Sequence, residues 1–275
     1  MIYFQKISLY NSSDMNRHDK GKRERVIGAL VGNLMSFTIG YEDSTTPDDV
    51  RCVVRDDAVL EKLRSSVLFA LHLYWQRDDS CVELLDTLIW DYLQSDDSSL
   101  EILFVSHLVY SLVEANDPKV EDVKQYISQA LDQAIRFAPQ TNDSCDYLES
   151  LTEVIYSAIM ISDDKESDDI ASLDMLLDGV AEGPSLWSIN ADSVAVAVAI
   201  YCILRHYDDM GRAFAVAMSY SMRLNALAVI VVFNIMGAAK GVKALPEQSR
   251  QSVEAHPIMR QFMNYVWGDE EMFIC

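Results

Sequence analysis

The sequence predicts an all-α fold, formed by a single compact domain of roughly ten to twelve helices. Two observations predict it. Apolar residues recur every three or four positions along most of the chain, and no strong strand or hairpin pattern competes with them. A third observation concerns the number of domains. The 275 residues include only ten Gly and six Pro, and no linker rich in Gly, Pro or Ser divides the chain.

The N-terminal residues are the exception to the helical pattern. Residues 2–10 have a β-like composition, which is typical of a short strand or of an extended arm laid over the domain. The basic stretch KGKRER at residues 20–25 is interpreted as a solvated turn before the first helix. We therefore assign residues 1–22 to an N-terminal arm and residues 23–275 to the helical domain. The arm has no sustained apolar run and no small-residue cleavage site, so we do not expect a secretory signal.

The predicted helices follow in chain order, each with one apolar face. In residues 59–75 the apolar side chains recur at i, i+3/i+4 and i+7. Residues 118–137 repeat the pattern, with Asp117 expected as the cap and Pro118 in the first turn. The other amphipathic segments are 81–93, 100–113, 147–161, 170–180, 192–205 and 212–222.

Pairs of aspartates separate many of these segments. A carboxylate before a helix satisfies the free amides of the first turn and complements the positive end of the helix dipole. We therefore interpret most of the pairs as helix starts and do not expect metal sites at them. The pairs lie at 48/49, 56/57, 78/79, 96/97, 163/164, 168/169 and 208/209.

The most apolar stretch runs from Leu224 to Ala239, and a shorter one covers 194–204. A membrane-spanning helix needs about 20 consecutive apolar residues. The longer stretch has only 16 residues, lies between Arg223 and Lys240, and contains two asparagines. Both stretches are therefore predicted to be helices buried on all sides within the core.

The charge of the chain excludes some partner classes. The chain carries 43 acidic and 22 basic residues, a formal net charge of −21 at neutral pH. Nucleic acids and anionic membranes bind clusters of Lys and Arg, so neither is an expected partner. A basic protein would be attracted to this chain, although an acidic charge also serves solubility alone.

Few residues point to known catalytic chemistry. The sequence has no nucleotide-binding glycine loop, no H-E-x-x-H and no G-x-S-x-G, and its five histidines have no ligand-like spacing. The five cysteines are scattered along the chain and show no paired spacing, which fits a reducing cytoplasm. Cys202 lies in an apolar run and is expected in the core. A zinc site is therefore not expected.

Three stretches, taken in order, resemble the ADP-ribosylglycohydrolase family, which includes the dinitrogenase-reductase-activating and crystallin J1-like proteins. Residues 23–42, RERVIGALVGNLMSFTIGYE, resemble its opening helix, R-x-x-G-a-l-l-G-x-a-x-G-D-a-l-G. Residues 54–75, which begin VRDDA, resemble its T-D-D-T segment and the long helix that follows. Residues 189–248 resemble its closing helices, where G-G-D-x-D-T begins a helix that ends in G-A-x-x-G before Leu-Pro-Glu. The resemblance implies a compact all-α fold of the ADP-ribosylglycohydrolase type.

Working members of that family hold two Mg²⁺ ions, and the resemblance implies that this chain has lost most of their ligands. The aspartate of the opening helix falls on Phe37. In the second stretch Asp56 and Asp57 are kept, while the threonine before them becomes Arg55. Near the start of the closing helix the second glycine becomes Arg223, the two aspartates become Leu224 and Ala226, and Asn225 lies between them. Magnesium requires clustered oxygen ligands, so we expect neither a metal ion nor any other cofactor here.

The resemblance therefore implies a vestigial cleft and a protein that acts by binding. In bacteria, relatives of this family accompany ADP-ribosyltransferase toxins as immunity proteins, and some such proteins protect by occlusion. We expect a cytoplasmic pseudoenzyme that neutralises a basic toxin of this class by covering its surface. Two alternatives stay open. One is a residual ADP-ribosyl-protein hydrolase that uses Asp56 and Asp57, and the other is a reader of ADP-ribose that has lost catalysis.

Overall fold

A computed structural model describes residues 20–34, 62–63, 65–68, 70–71, 99–115, 117–137, 142–164, 166–182, 191–221, 227–247 and 250–251. These residues are helical almost throughout, and no strand occurs among them. The all-α prediction is therefore confirmed. The predicted strand or arm at residues 2–10 and the predicted helix at 81–93 lie outside the described residues.

Eight α-helices and one 3₁₀ turn account for most of the described residues. The residues described between positions 62 and 71 are also helical, as predicted for the segment 59–75. The helices are α1 (Lys20–Leu34), α2 (Ser99–Glu114), α3 (Val120–Phe137), α4 (Asn142–Asp163), α5 (Asp169–Glu182), α6 (Ala191–Arg205), α7 (Met210–Ser221) and α8 (Leu227–Lys240), and the 3₁₀ turn is Val242–Ala244.

Two helices form the centre of the core. Helix α6 packs against α2, α3, α4, α5, α7 and α8, and α8 packs against α1, α2, α6 and α7. All residues from Leu227 to Ala239 are buried, as are those at 195–204. Because neither helix has a polar face, both must be surrounded by other helices, as the apolar stretches predicted. No helix in the described part of the chain is long and apolar enough to cross a membrane.

Helix α1 begins at Lys20, so the interpretation of residues 20–25 as a solvated turn was wrong. Lys, Arg and Glu are good helix formers, and side chains of this stretch contact the end of α2. The Lys22 ammonium lies 3.2 Å from the Glu114 carboxylate, and the Arg25 guanidinium donates through Nε to the carbonyl of Val113 over 3.3 Å. Arg25 is buried, so the basic stretch belongs to the domain and docks on the end of α2.

The aspartate pairs have mixed outcomes. Asp168 and Asp209 are confirmed as helix caps, because their carboxylates accept hydrogen bonds from the amides of Ala171 (2.8 Å) and Arg212 (3.0 Å). The pair 163/164 is an exception to the expected pattern, since it lies at the end of α4. Its second carboxylate accepts from the Glu166 amide over 3.0 Å and closes a turn. The pairs at 48/49, 56/57, 78/79 and 96/97 lie outside the described residues.

The predicted cap of α3 was also wrong. Asp117 has a φ of 50°, and the helix begins at Val120, after Lys119. The Asp122 carboxylate instead reaches back and accepts a hydrogen bond from the Lys119 amide over 2.9 Å, which is one half of a capping box. Asp122, the third residue of α3, therefore caps this helix in place of the predicted Asp117.

The cap of α7 gives a first testable prediction. Replacing Asp209 by Ala should lower the free energy of unfolding by about 1 kcal/mol, because the Arg212 amide loses its acceptor. Urea titration followed by circular dichroism measures this loss. The Asp209→Ser variant keeps an oxygen at the same position and should stay close to wild type. An equal loss in both variants would show that the cap does not explain the effect.

Candidate functional site

The residues predicted to form the vestigial cleft lie in two stretches, 35–61 and 222–226, for which the structure describes nothing. The prediction that they meet in one cleft therefore stays a prediction. The structure does describe elements next to these stretches, namely α1, the helical residues between 62 and 71, and α8. The predicted cleft residues are Phe37, Arg55, Asp56, Asp57, Arg223, Leu224, Asn225 and Ala226.

Helices α1 and α8 pack with their backbones in contact, through glycines that the sequence spaces four residues apart. A Cβ atom added to Gly28 would lie 2.3 Å from the carbonyl oxygen of Gly237, and one added to Gly237 would lie 2.2 Å from that of Gly28. A Cβ atom added to Gly32 would lie 2.3 Å from the carbonyl oxygen of Phe233. Only hydrogen atoms fit between the two backbones, so these glycines set the distance between the helices.

The end of α8 is fixed to the start of α1. Gly241 has φ 83° and ψ 174°, a conformation that is essentially restricted to glycine, and its amide donates to the Gly237 carbonyl over 3.0 Å. The 3₁₀ turn that follows packs on α1. Within it the Lys243 ammonium lies 3.1 Å from the Glu24 carboxylate. The first and third stretches that carry the family resemblance are therefore adjacent in space.

A polar cluster that the sequence did not predict surrounds the buried carboxylate of Asp169. Oδ1 accepts hydrogen bonds from the Tyr201 hydroxyl over 3.1 Å and lies 2.7 Å from His206 Nε2. Oδ2 accepts from Nε of Arg212 over 2.9 Å and also from Nη2 of the same guanidinium. Since Asp169 is in the first turn of α5 and its partners are on or beside α6 and α7, the cluster joins these elements.

Arg205 holds the turn before α5 from the same side. Its guanidinium donates to the backbone carbonyl of Asp164 and, over 2.8 Å, to that of Ser167. The Ser167 hydroxyl in turn donates to the Asp164 carboxylate over 2.7 Å, and this bond lowers the pKa of Asp164. The turn between α4 and α5 is therefore tied to the end of α6 by charge-assisted hydrogen bonds.

The electrostatics of the cluster favour an ionised Asp169. Burial raises the pKa of this carboxyl, but the hydrogen bonds from Arg212 and His206 outweigh burial, and the net pKa lies below its ordinary value. Burial also raises the pKa of the Tyr201 hydroxyl to about 12, so Tyr201 is a neutral donor at physiological pH. The arrangement therefore keeps one buried negative charge surrounded by donors.

The Asp169–His206 contact has the form of a pair that orients a general base, but its surroundings favour a structural role. The His206 ring contacts Asp169, its backbone amide donates to the Cys202 carbonyl, and its own carbonyl accepts from the Asp209 amide, so the described contacts of this residue all lie within the fold. Cys202 is buried as predicted, and its burial raises the pKa of its thiol, which keeps that group protonated. We therefore interpret the cluster as a structural clamp, meaning a set of hydrogen bonds that holds α5 against α6 and α7.

Sequence reasoning missed this cluster because its members are ordinary residues at uninformative spacings. The one available signal was the second aspartate of the 168/169 pair, since a cap requires only the first. No group of three or more His, Cys, Asp or Glu side chains suited to a metal occurs within the described ranges. A full set of Mg²⁺ ligands was expected in working relatives and not in this chain. The two aspartates that the resemblance retains, Asp56 and Asp57, lie outside these ranges.

Comparison of the chain with protein-family models, with curated proteins and with solved structures found no match.

The lowered pKa of Asp169 predicts how stability depends on pH. A carboxyl whose pKa is lower in the folded state contributes stability above its unfolded pKa of about 3.9, and this contribution is lost as the pH falls through the folded pKa. The difference in unfolding free energy between wild type and Asp169→Asn should therefore be largest above pH ~5 and shrink at lower pH.

Denaturant titrations of both proteins at several pH values measure this difference. Comparing the two proteins removes the general effect of protonating an acidic chain, which relieves self-repulsion in both alike. A difference that stays constant down to pH ~3 would mean that the charge of Asp169 contributes nothing.

Proposed function

We propose that this protein acts by binding another protein, as a catalytically inactive relative of the ADP-ribosylglycohydrolases. More specifically, we propose that it is an immunity protein that blocks a basic ADP-ribosyltransferase toxin by covering the toxin's surface. The proposal rests on the family resemblance of the sequence. The observation that carries it furthest is the presence of Leu224 and Ala226, beside Arg223, where working members of the family present carboxylates.

The packing of α1 against α8 supports the scaffold that the proposal assumes. The resemblance pairs an opening helix, which contains Gly28 and Gly32, with a closing helix that contains Gly237 and Gly241. These are the glycines that bring the two helices into backbone contact or fix the turn that follows them. The spacing of the glycines therefore serves packing, which a protein without catalysis would still need.

The net charge supports the choice of partner. A formal charge of −21 on 275 residues gives a strongly negative field, which accelerates association with a basic protein and opposes contact with acidic ones. The same charge opposes the binding of free nucleic acid. An immunity protein has to capture its toxin before the toxin finds its target, so a fast association rate suits this role.

Purification of the tagged protein from its own cells tests the proposal. We expect a stoichiometric complex with a basic ADP-ribosyltransferase domain encoded beside this gene, and inhibition of the transferase without cleavage of ADP-ribose from modified protein. Magnesium titration calorimetry on the isolated chain should give no binding in the micromolar range. The absence of such a partner, together with clear micromolar Mg²⁺ binding, would favour a residual hydrolase that uses Asp56 and Asp57. Binding of ADP-ribose alone would favour a reader.

A further inference from the structure

The face formed by α4 and α5 combines exposed apolar side chains with a high density of carboxylates. Isolated exposed apolar residues are normal on soluble proteins and carry no meaning by themselves. Here, four of the five large hydrophobic residues that are exposed in the described part of the chain lie on these two packed helices. Their exposed fractions are Tyr156 43%, Met160 68%, Ile170 67% and Met175 53%.

From Leu148 onward, where the structure describes the side chains of α4, the exposed positions form one continuous stripe at helical spacing. In order they are Glu149, Glu153, Tyr156, Met160 and Asp163. The solvent face of a helix is ordinarily polar along its whole length, because apolar side chains are directed to the core. Two large apolar side chains at adjacent positions of this stripe, four residues apart, therefore form an unpartnered surface.

Helix α5, which packs against α4, carries further exposed apolar side chains. Met160 is three residues before the end of α4, and Ile170 is the second residue of α5, so both lie at the turn end of the helix pair. Asp174 is exposed next to Met175 on the same helix. Residues on either side of the turn are tied to neighbouring elements, because Arg205 binds the carbonyl groups of Asp164 and Ser167 and the Asp169 cluster holds the first turn of α5.

The residues of α4, α5 and the turn between them carry almost only negative charge. Residues 142–182 contain twelve acidic residues and a single basic one, Lys165, which is a formal charge of −11 out of −21 for the chain. Among the carboxylates whose side chains the structure describes, seven are exposed, at Glu149, Glu153, Asp163, Asp164, Glu166, Asp168 and Asp174. Cations of neighbouring elements compensate part of this charge: Lys124 contacts Asp163 at 2.7 Å, Arg205 binds the turn, and Arg212 contacts Asp169.

We propose that the α4–α5 face is the docking surface for the protein partner, and that it takes a basic amphipathic segment that presents apolar side chains together with Lys and Arg. The apolar groups would bind Tyr156, Met160, Ile170 and Met175, while the basic groups meet the surrounding carboxylates. Methionine suits this role because its flexible side chain adapts to different partner shapes. A second copy of this chain is a poor occupant, because two such faces repel each other.

The proposal deepens the proposed function and rests on it for the identity of the natural partner, but its test does not require that partner. The probe is a synthetic amphipathic helix composed of Leu and Lys, added to the full chain. Hydrogen–deuterium exchange maps where the probe binds, and fluorescence anisotropy gives its affinity. We expect protection within residues 149–175. A peptide with Ser in place of Leu, and with the same number of Lys, should bind at least about tenfold more weakly.

The matched variants separate this face from general charge attraction. The double variant Met160→Gln and Ile170→Gln keeps the charge and should weaken the Leu/Lys probe at least about tenfold. Ile135→Gln changes an exposed apolar residue of α3 and should leave the affinity unchanged. The proposal is overturned if the probe protects residues outside 149–175, or if the α4–α5 variant and the α3 variant weaken the affinity equally. It is also overturned if the Ser/Lys peptide binds as tightly as the Leu/Lys probe. Protection of the same residues by self-association without any probe would overturn it as well.

The outcomes also distinguish this proposal from the proposed function. If the toxin is captured but its protection pattern lies outside α4 and α5, the docking surface is wrong and the binding function stands. If no toxin is found and Mg²⁺ binds, the function is wrong, while the mapping of the probe still decides the surface.

Discussion

Replacing Gly237 by Ala should lower the free energy of unfolding by about 2 kcal/mol, although alanine favours a helix by about 1 kcal/mol over glycine. The added Cβ would lie 2.2 Å from the carbonyl oxygen of Gly28, which is part of a buried helix backbone and cannot rotate away. Helices α1 and α8 would have to separate, and the surrounding core would lose contacts. Urea unfolding monitored by tryptophan fluorescence and by circular dichroism measures the loss.

Gly211 is the matched control for this prediction. It lies in the first turn of α7, is exposed, and a Cβ added there would come no closer than 3.4 Å to another atom. Gly211→Ala should therefore be neutral or should stabilise the protein by up to about 1 kcal/mol. Gly28→Ala should behave like Gly237→Ala. The double variant should lose less than the sum of the two, because the first substitution already separates the helices. Wild-type stability in Gly237→Ala would contradict the close contact of the two backbones.

Replacing Asp169 by Ala should cost about 3 kcal/mol of unfolding free energy at neutral pH. The carboxylate is buried, with only 8% of the residue exposed, and it accepts hydrogen bonds from Tyr201 and Arg212 and contacts His206. The variant leaves these groups without their common acceptor at the junction of α5, α6 and α7. Because the Arg212 side chain is 56% exposed, it can be hydrated, so we expect the lower end of the range for broken buried pairs.

Asp174 provides the control on the same helix. It is exposed, so Asp174→Ala should change the unfolding free energy by less than about 0.5 kcal/mol. Hydrogen exchange adds a local measurement, since Asp169→Ala should increase exchange in the turn at 164–168 and in the first turn of α5 more than in α8. Uniform loss of protection across all helices, or no loss of stability at all, would mean that the cluster does not act as a local clamp.

The helices and their buried faces were largely predictable from the sequence. The predicted segment 192–205 corresponds to α6 at Ala191–Arg205, and 100–113 to α2 at Ser99–Glu114. Such patterns are local, because a helix that packs on one side repeats its apolar residues within a few turns. Helix ends were less predictable, as at Asp117 and at residues 20–25, since the residues that cap or extend a helix compete with one another over the same few positions.

Which elements meet was decided only in three dimensions. Gly28 and Gly237 are about two hundred residues apart, and nothing local in either stretch specifies the other as its partner. The Asp169 cluster likewise draws on α5, α6 and α7, and each of its members is unremarkable in its own helix. The predicted cleft at Asp56, Asp57 and 223–226 stays a prediction, because it lies outside the described residues.

By itself, therefore, the sequence determined that this chain is all-α, which helices are buried on every side and that the chain is strongly acidic. Only the tertiary structure decided which apolar side chains stay exposed. The segment 147–161 was predicted to have one apolar face, but its pattern did not distinguish Ile155, which is buried, from Tyr156 and Met160, which are exposed. The physical reason is that burial depends on which helix lies alongside, and that is a property of packing between distant segments.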